Sequence, residues 1–194
     1  MTGKAEPPSH AVRIGADGLA RGIPLHASPN CDERPPGATV ELLVIHAISL
    51  PPGEFGGPGI EALFFNRLDP AEHPYYREIA SLRVSAHFLI RRNGELIQFV
   101  SCMRRAWHAG RSMWRGRPDC NDYSIGIELE GSDDVSFENP QYERLVSLTF
   151  GLRAAYPIAA TVGHADIAPG RKTDPGPQFD WARYRAALEP FDRD

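Results

Sequence analysis

The chain has 194 residues, a formal net charge of -4 and 42% hydrophobic residues. A chain of this length suits one domain and buries roughly 70% of the surface exposed by its unfolded form, so a hydrophobic core suffices without staples. The mild acidity argues against nucleic acid as a partner, and there is no run of about 18 apolar residues to span a membrane. Three cysteines (Cys31, Cys102 and Cys120) without CxxC spacing read as free thiols in a reducing compartment.

The first eight residues, Met1 to Pro8, lack the apolar segment of a secretory signal, so a cytoplasmic location is expected. Residues 1–18 are rich in Pro, Gly and polar types and are expected to form a mobile arm, ahead of a single domain over 19–190. Residues 19–38 read as extended chain laid on that domain. Val40 to His46 is too short for a stable helix and reads as a buried strand. The Pro/Gly-rich stretch from Leu50 to Gly59 is a loop, Ile60 to Leu68 has the spacing of a short helix, and 69–83 reads as irregular. Two apolar runs around Asn93-Gly94 predict a hairpin, with the dipeptide favouring a type I′ turn.

From Tyr123 to Glu130 the residues alternate. Tyr123, Ile125, Ile127 and Leu129 fall on an apolar face, with Ser124, Gly126, Glu128 and Glu130 on a polar one. Asn139-Pro140 opens a helix that ends before Pro157, with Asn139 as its expected cap. Thr161 to His164 is a short strand, and Asp180 caps a last helix. Strands mixed with helices, one hairpin and several crossovers predict an α/β domain with a mixed central sheet flanked by helices.

Two of the seven histidines, His46 and His164, each end an apolar strand and enter a Gly/Pro loop. With Asp174, whose backbone is stiffened by Pro175-Gly176, they form a set suited to a catalytic zinc ion, which takes three protein ligands and leaves one position open. His87 alternates with Phe88 in the hairpin and reads as a hydrogen-bonded core residue. Glu128 lies in the apolar heart of its strand, where an unpaired charge is costly, and so is a functional candidate. Glu130 reads instead as a carboxylate on a solvated face. Trp107 reads equally well as core or as a platform for a sugar face. Lys172, beside Asp174, could stabilise a developing oxyanion. Residues 50–80 combine glycines and prolines with Phe55, Phe64, Phe65, Tyr75 and Tyr76, and are expected to wall a cleft.

Several blocks carry a family resemblance. They are Leu42 to His46, Ile48 to Pro58, Leu82 to Ile90, Arg105 to Gly110, Cys120 to Gly131 and His164 to Pro177. In this order they resemble the AmpD-type N-acetylmuramoyl-L-alanine amidases, zinc enzymes of the superfamily that includes phage lysozyme-type amidases and peptidoglycan recognition proteins. The resemblance implies the fold of that superfamily and one Zn2+ per chain, held by His46, His164 and Asp174. It implies Glu128 as general base, Lys172 as oxyanion stabiliser, and substrate contacts from Trp107, Arg83, Tyr75, Arg117 and Asn121. The implied substrate is a small soluble 1,6-anhydro-N-acetylmuramyl peptide, cut before L-alanine during cytosolic recycling of wall fragments; the sequence does not fix the oligomeric state, for which a monomer is the expectation. Loss of the activity in relatives raises β-lactamase expression.

Two positions depart from the pattern: Ala47, where relatives often carry Asn, and Asp119, where they often carry Arg. Three other functions fit less well. A binding module without catalysis would lack a metal ligand. An amidase acting on intact periplasmic wall would carry a leader. A metal-free glycosidase using Glu128 and Glu130 would leave the histidine pair unexplained.

Overall fold

The computed structural model describes residues 11–189. In chain order the strands are β1 (Cys31–Glu33), β2 (Leu42–Ile48), β3 (Phe88–Ile90), β4 (Leu96–Gln98), β5 (Arg104–Ala106), β6 (Met113–Trp114), β7 (Arg117–Pro118), β8 (Ser124–Glu130) and β9 (Ala160–Gly163). The helices are α1 (Gly59–Phe64), α2 (Pro74–Ile79), α3 (Asn139–Ala155), α4 (His164–Ile167) and α5 (Trp181–Leu188), with a single 3-10 turn at Cys120–Asp122. Five strands form a mixed sheet in the order β4-β3-β8-β2-β9, in which β3, β8, β2 and β9 run parallel and β4 is antiparallel. The expected mixed sheet flanked by helices is therefore present.

Every residue of β8 is buried. Alternation does separate an apolar from a polar face, but the polar face is covered by protein except where Glu128 borders a cleft. Ile125, Ile127 and Leu129, with Leu43 and Ile45 of β2, pack against Leu145, Leu148 and Leu152 of α3 and Tyr184 of α5. Covering both faces in this way is the rule where parallel strands dominate a sheet. The opposite face carries His46 of β2 and Glu128 of β8, which sit side by side as register partners. Tyr123, expected on the apolar face, precedes the strand and packs instead with Leu42 and Cys120.

The hairpin forms with a different turn. Gly94 N–H donates to Arg91 O (2.9 Å), Arg91 N–H donates to Glu95 O (2.9 Å), and only Gly94 of the dipeptide has positive φ (83°). This is a three-residue loop with glycine in the left-handed position, the type I turn with a bulge. A two-residue turn with both φ positive occurs instead at Arg115 (49°) and Gly116 (83°), between β6 and β7.

Helix α2 lies in the stretch expected to be irregular. It starts at Pro74, with His73 Nδ1 accepting from Tyr75 N–H (3.1 Å), and among its six residues only Tyr76 is buried. One buried side chain leaves no period to read. Helix α3 begins one residue earlier than expected. Glu138 takes the cap position, its N–H donating to Gln141 Oε1 (2.9 Å), while Asn139 Oδ1 accepts from Arg183 (2.8 Å). Asp180 caps α5 as expected, accepting from Arg183 N–H (2.9 Å).

Residues 1–10 of the expected arm lie outside the described residues. Within 11–18, Val12 is buried and its N–H donates to Ser147 O of α3 (3.1 Å). A Cβ on Gly151 would come within 1.7 Å of Val12 O, so this close approach depends on glycine. Gly151→Ala is expected to push residues 11–18 off α3 and to destabilise the fold by about 1–3 kcal/mol, as overpacking does. Urea unfolding measures the loss, and faster amide exchange at Val12 measures the displacement.

Candidate active site

Parallel pairing brings the site together. β2 pairs with β9 as far as Ile45 opposite Gly163, so the next residues, His46 and His164, emerge together at the carboxyl ends of adjacent strands. Such strand ends are where ligands bind in sheets of this kind. His164 opens α4, and Asp166 Oδ2 accepts from Gly163 N–H (2.7 Å) just ahead of it. The following loop returns Asp174 to the same point, held by Ala165 N–H donating to Asp174 O (2.9 Å).

Three ligand-type atoms converge there. His46 Nδ1 lies 3.0 Å from His164 Nδ1 and 3.0 Å from Asp174 Oδ2, and His164 Nδ1 lies 3.1 Å from the same carboxylate oxygen. Among the described residues this is the one group of three or more His, Cys, Asp or Glu able to hold a metal ion. Each imidazole spends its other nitrogen elsewhere. His164 Nε2 donates to the carbonyl of Ala109 (3.1 Å), and His46 Nε2 meets His108 Nδ1 (2.9 Å). A carbonyl can only accept, so the hydrogen on neutral His164 is at Nε2 and its Nδ1 is a bare lone pair. Two imidazole nitrogens crowded on a carboxylate oxygen in a buried pocket could together hold a cation. Burial pushes the His46 pKa down to about 4, with Asp174 opposing, so its ring is neutral near pH 7.

Glu128 stands next to this cluster. Its residue exposure is 9%, and its Oε2 is buried without a hydrogen-bond partner. Burial, reinforced by the charge of Asp174 and opposed by Lys172, raises its pKa well above the ordinary carboxylate value. The carboxyl is therefore placed to take up and release a proton. Lys172 sits at the exposed rim, and among the described residues no carboxylate pairs with it. Arg171 braces the loop by donating to Ala109 O and Arg111 O (both 2.7 Å).

All five residues line one cleft of about 420 Å³, inside the range of small-molecule sites. One side is polar, with His46, Glu128, His164, Lys172 and Asp174. The other is the wall expected from residues 50–80, contributed by Leu50, Pro52, Leu63, Phe64, Tyr75 and Ile79.

The chain matches the family model described as N-acetylmuramoyl-L-alanine amidase over residues 36–177, which span the whole cluster. The chain belongs to the N-acetylmuramoyl-L-alanine amidase family. It is 58% identical over 171 residues to the 1,6-anhydro-N-acetylmuramyl-L-alanine amidase AmpD of Escherichia coli, covering 87% of this chain and 92% of that one. It superposes on the crystal structure of an AmpD selenomethionine derivative with a TM-score of 0.86 at 55% identity, covering 88% of this chain and 97% of the other. A more distant neighbour (TM-score 0.55, 31% identity, 90% and 65% coverage) is the E. coli amidase AmiD in complex with the substrate anhydro-N-acetylmuramic acid-L-Ala-D-gamma-Glu-L-Lys.

Within this amidase the expected substrate contacts divide. Tyr75 lines the cleft, and so does Ala47, the first departure from the family pattern. Arg83, Trp107, Arg117 and Asn121 are not among its lining residues. The Arg83 guanidinium donates to the carbonyls of Ala80, Ser81 and Leu82. Trp107 N–H donates to Ser85 Oγ (3.1 Å) and its carbonyl accepts from Ser85 N–H (3.2 Å), Ser85 being a lining residue, while its indole Nε1–H donates to Asp32 (3.1 Å). Arg117 pairs with Glu41 and stacks over Tyr123 (3.8 Å). Asn121 Oδ1 accepts from His108 N–H (3.1 Å) and Ala109 N–H (2.8 Å), which makes it a brace for the segment beside His46 and His164. Asp119, the second departure, occupies a left-handed position (φ 55°), which Asp tolerates better than most residues. His87 is a core residue as expected, its Nδ1 accepting from Gly126 N–H (3.0 Å). The residue that sequence reasoning passed over is His108. Only the distant contact with His46 marks it out.

Glu130 corrects another expectation. It is 2% exposed and paired with Arg91 (3.0 Å), and it also accepts from Gly56 N–H (2.7 Å) and Arg92 N–H (3.2 Å). Arg91 in turn donates to Gly57 O (3.0 Å), so the pair ties the Pro/Gly loop of the cleft wall to the sheet. Glu130→Ala leaves the buried Arg91 with Glu61 as its one remaining carboxylate (3.0 Å) and is expected to cost about 1.5–3 kcal/mol. Urea unfolding checks the loss, and amide exchange at Gly56 and Gly57 should rise with it.

Proposed function

We propose that this family member is a zinc-dependent 1,6-anhydro-N-acetylmuramyl-L-alanine amidase that acts on small soluble muropeptides in cytosolic wall recycling. The observation that carries this reading is the convergence of His46, His164 and Asp174 beside the unpartnered Glu128 carboxyl in one cleft. The names of the curated relatives and the muropeptide seated in a neighbouring structure support the substrate class. No helix among the described residues is long and apolar enough to cross a membrane. In a host that senses uncleaved muropeptides, loss of the chain would raise β-lactamase expression.

His46, His164 and Asp174 would hold the ion. Bound there, zinc would supply Lewis acidity, making water a nucleophile near neutral pH and polarising the amide carbonyl. Glu128 is the general base. Its free Oε2 accepts the proton of the attacking water and, once protonated, hands it to the leaving L-alanine nitrogen as the C–N bond breaks. The raised affinity of Glu128 for a proton suits both halves of that exchange. Lys172 presents its ammonium at the rim, where it stabilises negative charge developing on the carbonyl oxygen. The apolar wall, with Tyr75 at its edge, takes the compact anhydro-sugar and is a poor fit for a continuous glycan strand.

His46→Ala and Asp174→Ala should each lose the single zinc found in the purified parent. Full metal content in both variants would end this assignment. Glu128→Gln is expected to retain zinc while kcat falls by about 10²–10⁴-fold, the usual worth of a general base. Lys172→Ala should lower kcat by about 10²-fold with little change in KM, as a contact made in the transition state requires. Turnover of a soluble anhydro-muropeptide should far exceed that of intact sacculi, and equal rates would remove the specificity reading.

A further inference from the structure

His108 is buried, touches one of the three cluster residues and stands outside the cluster itself. Its hydrogen bonds can be oriented from one end. Ser124 Oγ lies 2.6 Å from Cys120 O, and a carbonyl can only accept, so the single hydroxyl hydrogen is used there. The lone pairs of Ser124 Oγ then face His108 Nε2 at 3.1 Å, so Nε2 must carry the hydrogen of that ring. An imidazole with one hydrogen has its other nitrogen free to accept, and His108 Nδ1 meets His46 Nε2 at 2.9 Å. His46 Nε2 is therefore the donor. Its Nδ1 is left bare, 3.0 Å from both His164 Nδ1 and Asp174 Oδ2. With one hydrogen on each ring, every contact from Cys120 to His46 is satisfied in one direction only.

We propose that His108 is a positioning residue that holds His46 in its Nε2–H tautomer, so that Nδ1 is presented to the metal as a lone pair. The rest of the site is built for this contact. Asn121 fixes the backbone of His108 from below. The ring seats against β8 where that strand carries Gly126, and a Cβ there would lie 2.4 Å from His108 Cγ. The two rings meet nearly at right angles (85°, centroids 5.0 Å apart), with His46 Nε2 and His108 Nδ1 as the atoms in contact. Without His108 the His46 hydrogen is free to move to Nδ1, where it can bond to Asp174 and compete directly with a metal ion.

This inference rests on the reading of His46, His164 and Asp174 as zinc ligands, and two measurements separate it from that reading. The first is ring-nitrogen NMR of the metal-free chain, in which His46 and His108 should both be protonated at Nε2. A His46 carrying its hydrogen at Nδ1 would overturn the proposal, whatever zinc does. The second is zinc affinity by competition with a chromophoric chelator, with folding checked by thermal melts. His108→Phe keeps a ring but removes the acceptor, and is expected to weaken zinc by about 10–100-fold, as losses of such outer partners do. His108→Asn restores an acceptor near the Nδ1 position and should recover most of that loss. A folded His108→Phe variant with parental zinc affinity would refute the role, and so would an Asn variant no better than Phe. If His108→Phe does not fold, the Asn variant and the parental tautomer decide. A parental chain that takes up no zinc would end the metal reading instead, while the tautomer assignment would still be read from its spectrum.

Discussion

The site depends on the register of three parallel strands. β2 lies between β8 and β9, and pairing Ile45 with Gly163 and His46 with Glu128 puts two imidazoles and a carboxyl at neighbouring strand ends. Side chains in a strand alternate, so a slip of one residue would turn His46 into the helix-covered core and bring Ile45 to the cleft. The apolar residues between the functional ones guard against that slip. Leu43, Ile45, Ile125 and Ile127 are all fully buried under α3 and α5, and reversing their faces would expose them. The same burial that stabilises the fold thus locks the chemistry in register.

Glu128 and Glu130 show how environment separates like residues. They lie two apart on the same face of β8, both nearly inaccessible. Glu130 has an arginine and two backbone N–H groups, which satisfy its oxygens and make it a tie for the cleft wall. Glu128 has an oxygen with no donor and a neighbouring carboxylate, an environment that resists charge. A buried carboxyl without partners is destabilising in a core. Facing a cleft, it becomes a group that gains from holding a proton.

The cluster of His46, His164 and Asp174 also shows how the residues behind it set the orientation of its members. His164 is oriented by Ala109 O, which Arg171 also holds, and His46 is oriented by His108 through Ser124. Both partners come from the short segment between the hairpin and the 3-10 turn, and Asn121 fixes the backbone of that segment. Ligand orientation, loop anchoring and strand register therefore meet in a few buried hydrogen bonds.

Much of this was legible in the amino-acid order. Period-two alternation over Tyr123–Glu130, apolar runs ending in His46 and His164, and caps such as Asp180 report local physics, because side-chain direction and orphan N–H groups follow from neighbours in sequence. The blocks around those residues were enough to point to a family. Other features were decided only by tertiary contact. Asn93-Gly94 is compatible with two turn types, and pairing of the flanking strands selected the three-residue form. Helix α2 offers one buried side chain, Tyr76, and so has no periodic signature. Glu130 became an internal ion pair because Arg91, 39 residues away, folds onto it. Trp107, Arg83, Arg117 and Asn121 lie near the site in sequence pattern, yet each was drawn to a partner outside the cleft lining. His108 gives no sign in its own neighbourhood, since its role depends on an imidazole 62 residues away that only parallel strand pairing brings within hydrogen-bond reach.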